Sequence, residues 1–191
     1  MNLRQASRKL FLQNIGLKKR ERVLLVTDGN APRLFKALYE TAVELGARAS
    51  VLEISADRRK SEPIPQARAL FNAADVIIAP TAKSISHCPE TRVARKRFGA
   101  RVASMPEITE KLFLKAMAVD ASRVRKACAR LLKQLEYAHT VRVKTASGTA
   151  LTVRLGREKF KADDGILNAR GRLSNIPFGE VGAAPVESAD G

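Results

Sequence analysis

Four consecutive apolar residues, Val23, Leu24, Leu25 and Val26, run into Asp28-Gly29-Asn30, the pattern of a short strand buried on both faces and stopped by a turn. Apolar positions then recur at helical spacing, at Leu34, Phe35, Leu38, Ala42 and Leu45, between Pro32 and Gly46. Proline suits a first helical turn and glycine a stop. The alternation continues with strands over 49–54, 75–79 and 100–103 and helices over 65–73 and 89–98. Ahead of it, Leu3, Ala6, Leu10 and Leu12 mark an amphipathic leading helix. Short apolar strands alternating with helices imply right-handed crossovers and a mainly parallel sheet covered on both faces. The expected fold class is therefore α/β, a Rossmann-like or flavodoxin-like three-layer domain.

The pattern changes near Tyr137. A helix over 120–137 sets Val124, Cys128, Leu131 and Leu135 on one side and Arg123, Arg125, Lys126, Arg130 and Lys133 on the other, an ordinary solvated face. Beyond it, Val141 and Val143 alternate with Arg142 and Lys144, Ser147-Gly148 makes a turn, and Leu151, Val153 and Leu155 alternate again. That is a hairpin. Two domains are expected: residues 1–138, α/β and layered, and 139–191, the beginning of a β-rich domain that looks incomplete.

Composition narrows the function classes. Apolar content of 45% is that of a folded chain, and no apolar run of about eighteen residues exists to span a membrane. The N-terminus has no continuous apolar core or cleavage site of a secretory signal. Two cysteines, Cys88 and Cys128, make no disulfide framework. A cytoplasmic location is expected. The net charge of +16 favours non-specific nucleic-acid binding at low salt. The basic residues are nevertheless spread along the chain, and aromatics are only 5% with no tryptophan, which leaves little for base stacking.

Ligands of open parallel sheets gather at the carboxyl ends of the strands. The first such loop, Thr27 to Asn30, carries neither a Gly-x-Gly-x-x-Gly nor a Walker lysine motif, so no nucleotide cofactor is expected. The loop after the third strand collects Thr81, Lys83, Ser84, Ser86 and His87. Hydroxyls, an ammonium and an imidazole suit an anion, although a polar loop that caps the next helix has the same composition. Cys88 adjoins His87, but neighbouring side chains diverge and no third group completes a catalytic pair. Adjacent Asp163 and Asp164 read as a turn before Gly165. Glu180 follows Pro177 and Gly179 at the mouth of a strand, where a carboxylate is held stiffly. Glu187, at odd spacing from Glu180, belongs on the opposite face of an extended strand.

Four stretches carry a family resemblance: Gly16 to Asp28, Ala73 to His87, Arg101 to Thr109 and Asn175-Ile-Pro-Phe-Gly-Glu180. In their order and spacing the chain, from about Leu12 to Gly191, resembles the aminopeptidase T (leucyl aminopeptidase) family of metal-dependent exopeptidases. The resemblance implies that Glu180 is a metal ligand. It also implies divalent metal ions in a two-metal site, completed by another glutamate, two histidines and an aspartate from a C-terminal portion absent from these residues. On that reading the chain is the N-terminal part of a metal-dependent aminopeptidase acting on peptides. It is expected to be hydrolytically inactive alone, because one carboxylate does not hold a divalent ion against water. The relatives include an iron-dependent ring-cleaving dioxygenase of hydroxylated pyridines, so a complete site alone does not establish peptidase chemistry. The alternative is a non-catalytic α/β module binding an anionic ligand, nucleic acid or a partner protein through its basic surface or the Thr81 to His87 loop. Self-association through an open sheet edge fits either reading.

Overall fold

The structure, a computed structural model, describes residues 1–155, 159–184 and 186. The chain divides into two compact units, Met1–Ala121 with Gly165–Phe178, and Ser122–Asp164 with Gly179–Gly191. The α/β expectation holds for the first unit. Its elements are α1 (Leu3–Lys9), β1 (Arg22–Thr27), α2 (Pro32–Glu44), β2 (Arg48–Glu53), α3 (Arg68–Ala73), β3 (Val76–Ala79), α4 (Pro89–Val93), β4 (Arg101–Ser104) and α5 (Glu110–Ala118). The second unit holds most of α6 (Ala121–Leu135), then β5 (Thr140–Lys144), β6 (Ala150–Arg154) and β7 (Lys161–Asp163). The chain then returns to the first unit for β8 (Leu173–Asn175) and leaves it again for β9 (Glu180–Gly182).

Five strands form one parallel sheet in the order β2-β1-β3-β4-β8, a doubly wound arrangement whose switch point lies between β1 and β3. Alternate strand residues feed opposite faces. Val23, Leu25, Val76, Ile78 and Ala103 pack in one core with Leu10, Phe11, Leu34, Leu38 and Phe113. Leu24, Val26, Ile77 and Val102 pack in the other with Phe71, Ile85 and Cys88. Burial on both faces is why these strands read as unbroken apolar runs.

Differences from expectation have local causes. A π-helical turn over Leu10–Ile15 continues α1; the wider turn buries Phe11 and Ile15 and leaves Leu12 45% exposed. Helix α5 was not anticipated, yet it is capped by Thr109, whose Oγ1 accepts from Leu112 N at 3.2 Å, and it buries Phe113, Ala116 and Met117. Lys9 Nζ closes its far end, donating to the carbonyls of Met117 (2.6 Å) and Val119 (2.8 Å). The return of β8 was not anticipated either. Three residues with a single buried position, Ser174, give little periodicity to detect. The expected cut near residue 138 falls inside the second unit.

In the second unit, the β5·β6 hairpin pairs Val141 with Val153 and Val143 with Leu151, as the alternation implied. Leu131, expected in the apolar stripe of α6, is 42% exposed, whereas Cys128 is buried. Among the described residues no helix is long and apolar enough to cross a membrane.

At the amino ends of the strands, Asp75 accepts from Arg22 Nη2 (2.8 Å), Nε (3.1 Å) and backbone N (2.8 Å). The side-chain hydrogen bond from Arg22 is the main reason the Asp75 carboxyl sits below its ordinary range. A lowered folded-state value contributes stability that is complete above the unfolded value near about 4 and is lost as pH falls through the folded one. Acid titration of unfolding should therefore show a decline below about pH 4 that Asp75→Asn flattens; superimposable profiles would rule out this contribution. The pair is partly exposed, at 56% and 33%, so screening keeps the effect small.

Candidate functional site

The loops that leave the carboxyl ends of the strands are cross-tied. Asp28, after β1, accepts from Asn30 N through Oδ1 (3.2 Å) and from Ala82 N through Oδ2 (2.7 Å). One carboxylate thus fastens the loop after β3 across the switch point. Thr81 is buried and donates Oγ1–H to the Lys83 carbonyl (2.8 Å). Arg58, 8% exposed, donates to the same carbonyl (3.1 Å) and to that of Glu62 (2.9 Å). With the Lys83 backbone held from two sides, its side chain is left exposed. Ser84 Oγ accepts from Ser86 N at 3.2 Å, and Ser86 Oγ bonds Asn175 Oδ1 at 3.2 Å.

These ties shape a cleft of about 370 Å³ lined by Lys60, Lys83, Ser86, His87, Glu107 and Asn175, among others. Four of the five anticipated loop residues, Lys83, Ser84, Ser86 and His87, line it. Thr81 lies beneath as part of the loop's internal bonding. Lys60, Glu107 and Asn175 were not anticipated. Asn175 stands in a stretch that carried the family resemblance, and Met105-Pro106-Glu107 lies within another, but neither has a local pattern that announces a cleft. Lys60 comes from the segment after β2 and is brought in by Ser61 N, which donates to the Ser84 carbonyl (3.1 Å).

Cys88 takes no part. It is fully buried, receives a bond from Arg58 Nη2 at 3.0 Å and donates to the Glu62 carbonyl at 3.1 Å. Burial pushes its thiol pKa up, with the Arg58 charge opposing. His87 is exposed, so the two neighbours face different surroundings and form no nucleophile pair.

Glu180 belongs to the other unit and opens β9, exposed. In the antiparallel β7·β9 ladder it stands directly opposite Asp163, so the two carboxylates share a face. Asp163 is therefore a strand residue, where a turn was anticipated. Both Asp163 and Asp164 act on Cys128, whose thiol pKa is raised first by burial and then by these charges. Glu187 lies outside the described residues. Among the described residues no group of three or more His, Cys, Asp or Glu side chains is placed to hold a metal ion. Glu180 and the residues around it do not by themselves fit a complete metal centre.

Residues 4–191 match the model of the family described as NicX: 2,5-dihydroxypyridine 5,6-dioxygenase. The chain belongs to this family. A solved structure of the 2,5-dihydroxypyridine dioxygenase from Pseudomonas putida superposes with a TM-score of 0.79 at 21% identity, covering 99% of this chain and 57% of that one. The structure of AmpT from Thermus thermophilus gives a TM-score of 0.58 at 14% identity, covering 96% of this chain and 61% of that one. The chain thus spans under two thirds of either structure. Comparison with curated proteins gives no match.

NicX membership corrects the aminopeptidase T assignment, and the peptidase reading with it. The stretches that suggested it include β1, β3 and β4 and the turns that follow them. Those residues build the doubly wound sheet, a fold that hosts unrelated chemistries. The match over residues 4–191 decides the family.

Proposed function

We propose that this chain is part of a ring-cleaving dioxygenase and that the cleft at the carboxyl ends of β3, β4 and β8 holds a hydroxylated pyridine such as 2,5-dihydroxypyridine. The observation that carries this reading is the convergence of Lys60, Lys83 and His87 on one cleft, in a chain of the NicX family. Ring oxygens are acceptors, and they become anionic when their protons leave. Ammonium groups stabilise that charge, and an exposed imidazole is suited to take the proton. The sheet fixes these groups on cross-bonded loops, which is how a binding site keeps its geometry before the ligand arrives.

A divalent cation belongs to this reading, and the described residues do not supply its ligand set. The roles of Lys83 and His87 are binding and proton handling, and they are independent of that cation. A cytoplasmic location accords with two cysteines that remain thiols.

Calorimetric titration of the chain with 2,5-dihydroxypyridine should show saturable binding. The double substitution Lys83→Ala, His87→Ala is expected to weaken it by about tenfold, the loss of one or two charge-assisted hydrogen bonds at an exposed site. Unaltered affinity in the double variant would place the ligand elsewhere.

A further inference from the structure

Among the described residues four that are not glycine have positive φ, and three of these follow strand ends on the cleft side of the sheet: Ala31 (49°) after β1, Ser61 (61°) after β2 and Glu107 (54°) after β4. Such conformations persist where the surroundings over-determine them, and they cluster at ligand sites. Glu107 is the one of the three that lines the cleft. Its N–H donates to the Thr81 carbonyl (3.0 Å), Met105 N on one side donates to Ala79 O (2.9 Å), and Ile108 N on the other donates to Met105 O (3.4 Å). A glutamate is thereby kept in a conformation glycine would adopt freely, and its side chain lines the cleft.

No hydrogen bond or ion pair engages the carboxylate of Glu107 among the described residues, and none engages the ammonium groups of Lys60 and Lys83. Opposite charges line one opening and stay more than 4.0 Å apart. Such an arrangement fits a ligand that presents acceptors to one side and a donor to the other. A carbocyclic phenol offers only its hydroxyl hydrogens and has a C–H, which a carboxylate does not accept from strongly, at the ring position beside the oxygen. A 2-hydroxypyridine has a donor there, because its pyridone form carries a ring N–H beside the carbonyl oxygen.

We propose that Glu107 is the specificity-determining residue of this cleft, accepting the ring N–H of a pyridone while the lysines take its oxygens; this rests on the cleft being the ring-binding site. The carboxylate then selects nitrogen heterocycles over carbocyclic phenols of the same shape. A site built to accept an N–H discriminates against the analogue that lacks it, because its acceptor is left unpaired.

The test compares 2,5-dihydroxypyridine with hydroquinone, which has two hydroxyls and no ring nitrogen, by calorimetry on the full chain. Wild type is expected to prefer the pyridine by about tenfold. Glu107→Gly removes the carboxylate and suits the positive φ, so its melting temperature should equal or exceed that of wild type. In that variant the preference should vanish through loss of pyridine affinity, with hydroquinone unaffected. Glu107→Gln, whose amide oxygen still accepts, should retain part of it. Equal affinity of wild type for both compounds, or a preference that survives in Glu107→Gly, would overturn the role of Glu107 alone. Binding of neither compound by wild type would overturn the cleft assignment, and this inference with it.

Discussion

Replacing Arg101 with methionine is expected to destabilise the first unit by about 3 kcal/mol, the lower end for breaking a buried ion pair. Arg101 opens β4, and its side chain is only 7% exposed. Nη1 donates to the carbonyls of Ile15 (2.8 Å) and Gly16 (3.3 Å), where the leading helix ends. Nη2 lies 2.6 Å from Glu21 Oε2, a close charge contact without hydrogen-bond alignment. One guanidinium therefore joins a central strand to the first helical segment and neutralises Glu21. Methionine fills much of the volume but leaves two carbonyls and a carboxylate that is 21% exposed without that donor. Adding Glu21→Gln should recover part of the loss, since the orphaned charge goes with it. Urea unfolding followed by hydrogen exchange in β1 and β3 measures both. A loss below about 1 kcal/mol would assign the pair to the weak class of surface ion pairs.

Gly165→Ala is expected to be nearly as damaging, at roughly 2–3 kcal/mol. Two costs combine. The residue has φ 75°, where a β-carbon is strained, and that carbon would sit 2.4 Å from Cγ of the Phe178 ring. Gly165 cannot easily move away, because its carbonyl accepts from Asn14 Nδ2 at 2.9 Å in a buried bond. Phe178→Ala in the same chain removes the collision but not the backbone strain, so it should restore only a part. Thermal unfolding of the single and double variants separates the two costs. A midpoint within a degree of wild type for Gly165→Ala would show that the ring swings aside freely.

The sheet was legible in the sequence for a physical reason. Strands buried on both faces must be apolar throughout, so Val23 to Val26 and Val76 to Ala79 announce themselves without a partner in view. The helices over them were legible where an apolar stripe met a proline or glycine stop, as between Pro32 and Gly46. What stayed hidden depended on distant partners. Ser174 in β8 is buried and stands beside Ala103 in the ladder, and nothing within a few residues of Ser174 encodes that pairing.

The cleft divides in the same way. The loop from Lys83 to His87 concentrates polar groups after a strand, and that is visible locally. Lys60 and Glu107 are drawn to the cleft in part through Ser61 N and Glu107 N, each bonded to a carbonyl of the Thr81–Ser84 loop. Backbone bonds of this kind leave no trace in residue type. The family was misjudged for a related reason. Three of the four quoted stretches are a strand of the sheet with its flanking turns, and such segments are common to proteins with different chemistry.

The return of the chain to pair β8 with β4 has a consequence for synthesis. Residues 122–164 are an excursion inserted between two parts of one sheet. As the polypeptide emerges from the ribosome, β2, β1, β3 and β4 are available long before Leu173–Asn175. During that interval the outer rim of β4 offers unpaired N–H and C=O groups to any passing strand, the template that drives misassembly between nascent chains. Closing that rim requires the whole excursion to be made first, and the growing chain waits for this parallel neighbour.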